Sequence, residues 1–406
     1  MMSSAASEHM IDPAAAAEPS EGQERARLPM PLWRPQGIVA AGVALSAMAW
    51  SLPDAGLRKG FTIRENPTLE GVLILGSWYA SIILASLAGF HFGRRILLSR
   101  HKASVLGLAD IRPYLSISLI AWLGVGSAYF QIIDQIGLGG VLGAFSRNTV
   151  NDLKTALYSN YDIGLCSLRY AAALAGGIAL YHLIVGRPAW LLDSLNAVAL
   201  LGTSAVSSRL SLVWATIIGI SLWVSTGIEL DRRQCRRLVL LALTVVGALW
   251  LLNYSRNAHY YAQRGADSVI MAGLSEVQAY LGSPFQVSLG VANNFDSALS
   301  GVTSQYYVDW ESNLNRKSAL EQLVPEMGWW ALPYMAATAF AYSALAGCLL
   351  QFRGTYLFLG YPVVLYAFAE IWRLDFFREG IFYTNLIIAV VVPLVMYCFM
   401  RPRLRF

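Results

Sequence analysis

Charge is what this chain has least of. Lysine, arginine, aspartate and glutamate together make up 14% of its 406 residues, against about a quarter in ordinary soluble domains. With 56% hydrophobic residues and a mean hydropathy of +0.49, a water-soluble enzyme is excluded. Cysteine is scarce as well. The four residues Cys166, Cys235, Cys348 and Cys398 are scattered, so neither a disulfide framework nor a Cys/His metal site is expected. The N-terminal region has no apolar run followed by a cleavage site. Residues 1–35, rich in Ala, Glu, Ser and Pro, therefore read as a disordered cytoplasmic tail and not as a signal peptide. No internal repeat is visible, which counts against inverted-repeat transporters.

Long apolar stretches fill the space that charge leaves. A membrane span needs about 20 apolar residues, and windows near 36–52, 71–92, 113–134, 163–185, 188–206, 209–228, 238–254, 329–351, 355–372 and 381–400 qualify. The expected fold is all-α, a polytopic bundle of about ten transmembrane helices. Helices one to seven occupy 36–254, a large periplasmic loop with short helices covers 255–328, and helices eight to ten cover 329–400. A basic cytoplasmic tail, 401–406, closes the chain. The densest basic clusters are Arg94/Arg95/Arg100/Lys102, Arg232/Arg233/Arg236/Arg237 and Arg401/Arg403/Arg405. They fall on one side, which the positive-inside rule makes cytoplasmic, with both termini on it. Membrane orientation explains the net charge of +5, so nucleic acid is not an expected partner.

Two outer segments break the pattern of short loops. Residues 135–162 begin Gly-rich and turn polar at Ser146-Arg147-Asn148, which reads as a loop. In 255–328, Asp267 is placed to N-cap a helix with the apolar face Val269, Ile270, Leu274, Val277 and Leu281, and Gly282-Ser283-Pro284 should stop it. A second helix should start after Asn315 and run toward Pro325. Both are expected on the outer membrane surface, roofing a cavity.

Arginines on the outer face run against the orientation bias and ask for an anion. Arg209 follows a run of small hydroxyl residues and opens an apolar helix. Snorkelling to headgroups is the plain reading, and a planar donor for a diphosphate is the functional one. Tyr254 to Arg264 packs Arg256, His259, Tyr260, Tyr261 and Arg264 together. If helical, Arg256, Tyr260 and Arg264 share a face, though an interfacial aromatic belt would look similar. Glu326 stands where the loop re-enters the membrane and is the first candidate for an acceptor base, with His259 second. Arg373 and Arg378 are further anion donors. Asp375 and Glu379 are read as their ion-pair partners, and Glu370 as a partner of Arg373 three residues on. Arg169 and Asp193 are intramembrane charges at opposite helix ends and should not pair.

Three segments carry a family resemblance: Ser207-Ser208-Arg209-Leu210-Ser211, Tyr280-Leu281-Gly282-Ser283-Pro284 and Pro325-Glu326-Met327-Gly328. In these, and in the layout of most of 36–400, the chain resembles the Wzy-type O-antigen and exopolysaccharide repeat-unit polymerases of bacterial inner membranes. The resemblance implies a fold related to O-antigen ligases and a multi-pass inner-membrane location. It also implies transfer of glycan from an undecaprenyl-diphosphate-linked donor on the periplasmic face, without metal or other cofactor. Arg209, Arg256, Arg264, Tyr260, Tyr261, Arg373 and Arg378 would bind that substrate, and Glu326 or His259 would act on the acceptor. Membrane lipid, a chain-length regulator and a flippase are the implied partners. A ligase-like transferase and a carrier of lipid-linked glycan remain the alternatives.

Overall fold

A computed structural model describes residues 31–52, 64–96, 106–159, 164–186, 188–207, 209–227, 232–263, 268–300 and 318–400. It is all-α, with no strand among the described residues. The fourteen helices are α1 Pro35–Ser51, α2 Leu69–Ile96, α3 Ile111–Ser146, α4 Asn151–Ser159, α5 Ala171–Val185, α6 Trp190–Val206, α7 Leu210–Ser225, α8 Arg232–Gln263, α9 Val269–Asn293, α10 Phe295–Leu299, α11 Ala319–Met327, α12 Ala331–Leu349, α13 Gly360–Glu370 and α14 Gly380–Met400. Six helical stretches are long and apolar enough to cross a membrane: Leu69–Ile96, Ile111–Ser146, Leu165–Val185, Arg232–Leu252, Ala319–Phe352 and Gly380–Phe399. Three shorter apolar helices, Trp190–Val206, Leu210–Ser225 and Tyr356–Glu370, stand among them. The chain is a membrane-embedded helical bundle.

Without a hydrophobic force between helices in lipid, close packing has to come from small residues. The contact between α2 and α12 shows it. A Cβ added at Gly89 or Gly93 would run into the backbone oxygens of Phe340 or Ala344, and one at Gly347 into that of Phe90. The centre of the bundle is α5, whose run Ala171 to Gly177 is wholly buried, and α13, buried from Gly360 to Phe368. At one end of the bundle Asp193 staples three helices. It accepts from Ala189 N at 2.8 Å and the Tyr114 hydroxyl at 2.7 Å, and lies 3.1 Å from His182 Nδ1. The opposite end carries Arg209 and the α13–α14 turn. Arg169 is on that side, away from Asp193 as expected.

Several local expectations are corrected. Residues 135–159 are mostly helical and not a loop: α3 runs on to Ser146 through a kink at Gly137 (φ 69°), and α4 follows. The segment placed in a loop from 255 is helical as far as Gln263, because α8 continues to that residue. The cap of α9 is Ser268, which accepts from Met271 N at 3.3 Å; Asp267 lies outside the described residues. Nor does Gly282-Ser283-Pro284 stop α9, which runs through to Asn293. Proline removes one helical hydrogen bond, but tertiary bonds hold both sides of the break. Ser46 on α1 donates to Leu281 O at 2.5 Å, and Trp50 Nε1 donates to Gln286 Oε1 at 2.6 Å. Beyond, Asn293 Oδ1 accepts from Thr68 Oγ1 at 2.9 Å. This half of α9 is buried against α1 and α2, deeper than a surface roof. The second loop helix appears as α11, capped by Ser318 and carrying Pro325 inside it. At the N-terminus, helix begins before residue 35: a 3-10 turn covers Pro31–Trp33. Residues 1–30 and 401–406 lie outside the described residues.

Candidate functional site

The α13–α14 turn, residues 371–379, is the hub. Arg373 folds back on Glu370, its Nη2 2.7 Å and its Nε 2.8 Å from Glu370 Oε2, the i,i+3 pair expected from the sequence. Glu370 is only 4% exposed. Tyr280 of α9 closes this group. Its hydroxyl lies 3.4 Å from Glu370 Oε2, the Arg373 guanidinium sits over its ring at 5.1 Å, and Trp372 meets it edge-on at 5.6 Å. Gly42 on α1 makes room, since a Cβ there would strike the Trp372 indole. Burial, then the Glu370 carboxylate, push the Tyr280 phenol well above its ordinary range, while the charges of Arg373 and Arg209 pull the other way. The Arg209 charge, at the start of α7, is therefore near enough to be felt at the Tyr280 phenol. Its neighbour Ser207 accepts from Arg169 Nε at 2.5 Å. Arg169 is fully buried and also bonds Cys166 O at 2.6 Å, the Tyr158 hydroxyl at 2.9 Å and the Tyr170 hydroxyl at 3.1 Å. That fixes the small-residue segment from which Arg209 projects.

The other side of the turn faces α11 and α12. Arg378 Nη1 pairs with Glu326 Oε2 at 2.6 Å, with the two side chains 43% and 53% exposed. Glu326 is exposed in the last turn of α11. Asp375 is the buried carboxylate, 2% exposed. Its Oδ1 accepts from Phe377 N at 3.2 Å, its Oδ2 faces the Tyr334 hydroxyl at 3.5 Å, and its own N–H donates to Gln322 Oε1 at 3.1 Å. The ion pair with a neighbouring arginine, expected for Asp375, falls to Glu326.

Burial pushes the Asp375 carboxyl from 3.8 up to about 6, against the Phe377 N–H and the Arg378 charge. A raised value means the folded protein keeps a proton that the unfolded chain releases. Stability should therefore fall as pH rises from about 4 to about 6. Asp375→Asn should flatten that fall, a difference on the order of 1–3 kcal/mol at neutral pH. Thermal melts of the parent and the variant across this range, in one detergent, read it out; parallel curves would refute the assignment.

The backbone of Arg256, His259, Tyr260 and Tyr261 continues α8, so the helix that would set Arg256 and Tyr260 on one face exists. Arg264 lies outside the described residues. The structure thus brings together Arg209, Arg373 and Tyr280 on one side of the turn, and Arg378 and Glu326 on the other. Sequence reasoning missed the contact of Tyr280 with Glu370 and the burial of Asp375. One signal was present: Trp372 to Arg378 intersperses three charges with large apolar residues in a short connection. No family model, no curated protein and no solved structure matches this chain.

Proposed function

We propose that this chain is a membrane glycosyltransferase that polymerises polyprenyl-diphosphate-linked oligosaccharide repeat units on the periplasmic face of a bacterial inner membrane. One observation carries the reading. Tyr280 and Glu326 are bonded at the two sides of the α13–α14 turn, and the charge of Arg209 acts on Tyr280, so one residue from each of the three segments that bear the family resemblance bears on this turn. In this reading ten helices cross the membrane, both termini are cytoplasmic and the Arg209 end is periplasmic.

The chemistry follows from what such a site can stabilise. An acceptor sugar hydroxyl attacks the anomeric carbon of the donor glycan, the bond from that carbon to the diphosphate oxygen breaks, and a carboxylate or imidazole takes the hydroxyl proton. Charge grows on the departing diphosphate, and preorganised guanidinium groups at a low-dielectric boundary stabilise it. Arg209 and Arg373 are suited to that task, and Arg256 and Arg264 complete the set of donors expected from the sequence. Glu326 and His259 are the base candidates from sequence. Asp375 joins them, since a carboxylate with its value near 6 is well matched to accept a proton at neutral pH.

Purified protein in nanodiscs, given a lipid-linked repeat unit, should produce a ladder of lengthened lipid-linked chains. A single transfer to a different acceptor would mean a ligase, and movement across the bilayer without lengthening would mean a carrier. In intact cells, an impermeant thiol reagent should label a cysteine placed at exposed Ser300, and should reach exposed Cys235 only after permeabilisation. The reverse pattern would overturn the orientation.

A further inference from the structure

We infer that the apolar cavity between α2, α10, α11 and α12 receives the first isoprene units of the lipid diphosphate substrate; this rests on the proposed substrate class. The cavity measures about 330 Å³, at the lower end of ligand-sized pockets. Its walls include Trp78, Phe295, Leu320, Val324 and Trp329. Helix α11 is the partition. Leu320 and Val324, four residues apart and so on one face, line the cavity, while Gln322 and Glu326 bond to the α13–α14 turn. One short helix therefore has hydrocarbon-accepting space on one face and the polar turn on the other.

Three observations choose the occupant. The rim carries Leu73, 61% exposed, and Trp329, 68% exposed, next to Trp330; paired tryptophans at a helix start mark the membrane interface. The cavity thus opens sideways to the level where a lipid's head joins its tail. Deeper in the wall, the indole N–H of Trp78, a residue 3% exposed, has no hydrogen-bond partner among the described residues. The C=C bonds of an isoprenoid offer that N–H a π acceptor, by analogy with N–H···π contacts to aromatic rings, which a saturated acyl chain lacks. Across α11 from the cavity, Arg378 is half-exposed and its guanidinium pairs with the exposed Glu326 carboxylate. A diphosphate, with more charge and more acceptor oxygens than Glu326, would compete for it.

The test is photolabelling of the full-length protein in nanodiscs with a polyprenyl diphosphate whose first isoprene unit bears a diazirine. Label should appear on peptides containing Leu73 or Trp329, and excess unlabelled polyprenyl diphosphate should displace it. Excess saturated phosphatidylglycerol should not. Leu73→Trp fills the mouth from a lipid-exposed position and should cut labelling at least fivefold. Leu119→Trp, equally exposed on α3, should leave it unchanged. Displacement by the phospholipid, label confined to other helices, or equal labelling of both variants would each overturn the assignment. The outcomes separate from the polymerase reading. Specific labelling without chain growth would keep the cavity and sink the polymerase; chain growth with label elsewhere would do the opposite.

Discussion

Arg373→Ala should be the most damaging single substitution at the turn. It leaves the Glu370 carboxylate buried without its counter-charge, and breaking a buried pair from one side costs about 3–5 kcal/mol. Replacing both partners, Glu370→Gln with Arg373→Met, removes the unpaired charge and should recover most of that loss. The two roles of Arg373 then come apart. If it also binds diphosphate, the double variant melts near the parent yet lengthens chains far more slowly. A stable and active double variant would make the pair purely structural and remove Arg373 from the binding set.

Arg209→Ala should act on rate and not on fold, because Arg209 is half-buried at the mouth of α7 and not sealed within it. Losing one charge-assisted contact costs about 1.5–3 kcal/mol, or roughly ten- to a hundredfold in turnover when the contact forms fully in the transition state. Lysine should rescue poorly, since it cannot present a planar fork to two phosphate oxygens. Chain-length ladders from membranes with matched protein levels give the measurement. If Arg209→Ala, Arg256→Ala and Arg264→Ala all match the parent, the diphosphate assignment fails.

Much of the fold was legible because hydropathy is additive along the chain: α2, α12 and α14 follow directly from their apolar windows. Pro284 was misread because what holds α9 across it is tertiary, whereas at Gly137 the chain does leave helical geometry, but only as a kink. A breaker rule reads only the residues beside the proline and does not include tertiary partners that restrain the chain across it. Here Ser46, Trp50 and Thr68, more than 200 residues away in sequence, hold α9 on either side of Pro284. The site divides the same way. Glu370–Arg373 was readable because i,i+3 spacing on a helix sets it. The burial of Asp375 was not, because α11 and α12 enclose it through Gln322 and Tyr334.

The tight seam between α2 and α12 has a consequence for which substitutions the chain can absorb. Lipid-facing side chains such as Leu119, Phe130 and Leu183 are exposed in the bundle, and any apolar residue would serve there. At Gly89, Gly93 and Gly347 even a methyl group meets backbone, which cannot move aside. In a saturation library the large exposed apolar residues should prove among the most replaceable and these three glycines among the least.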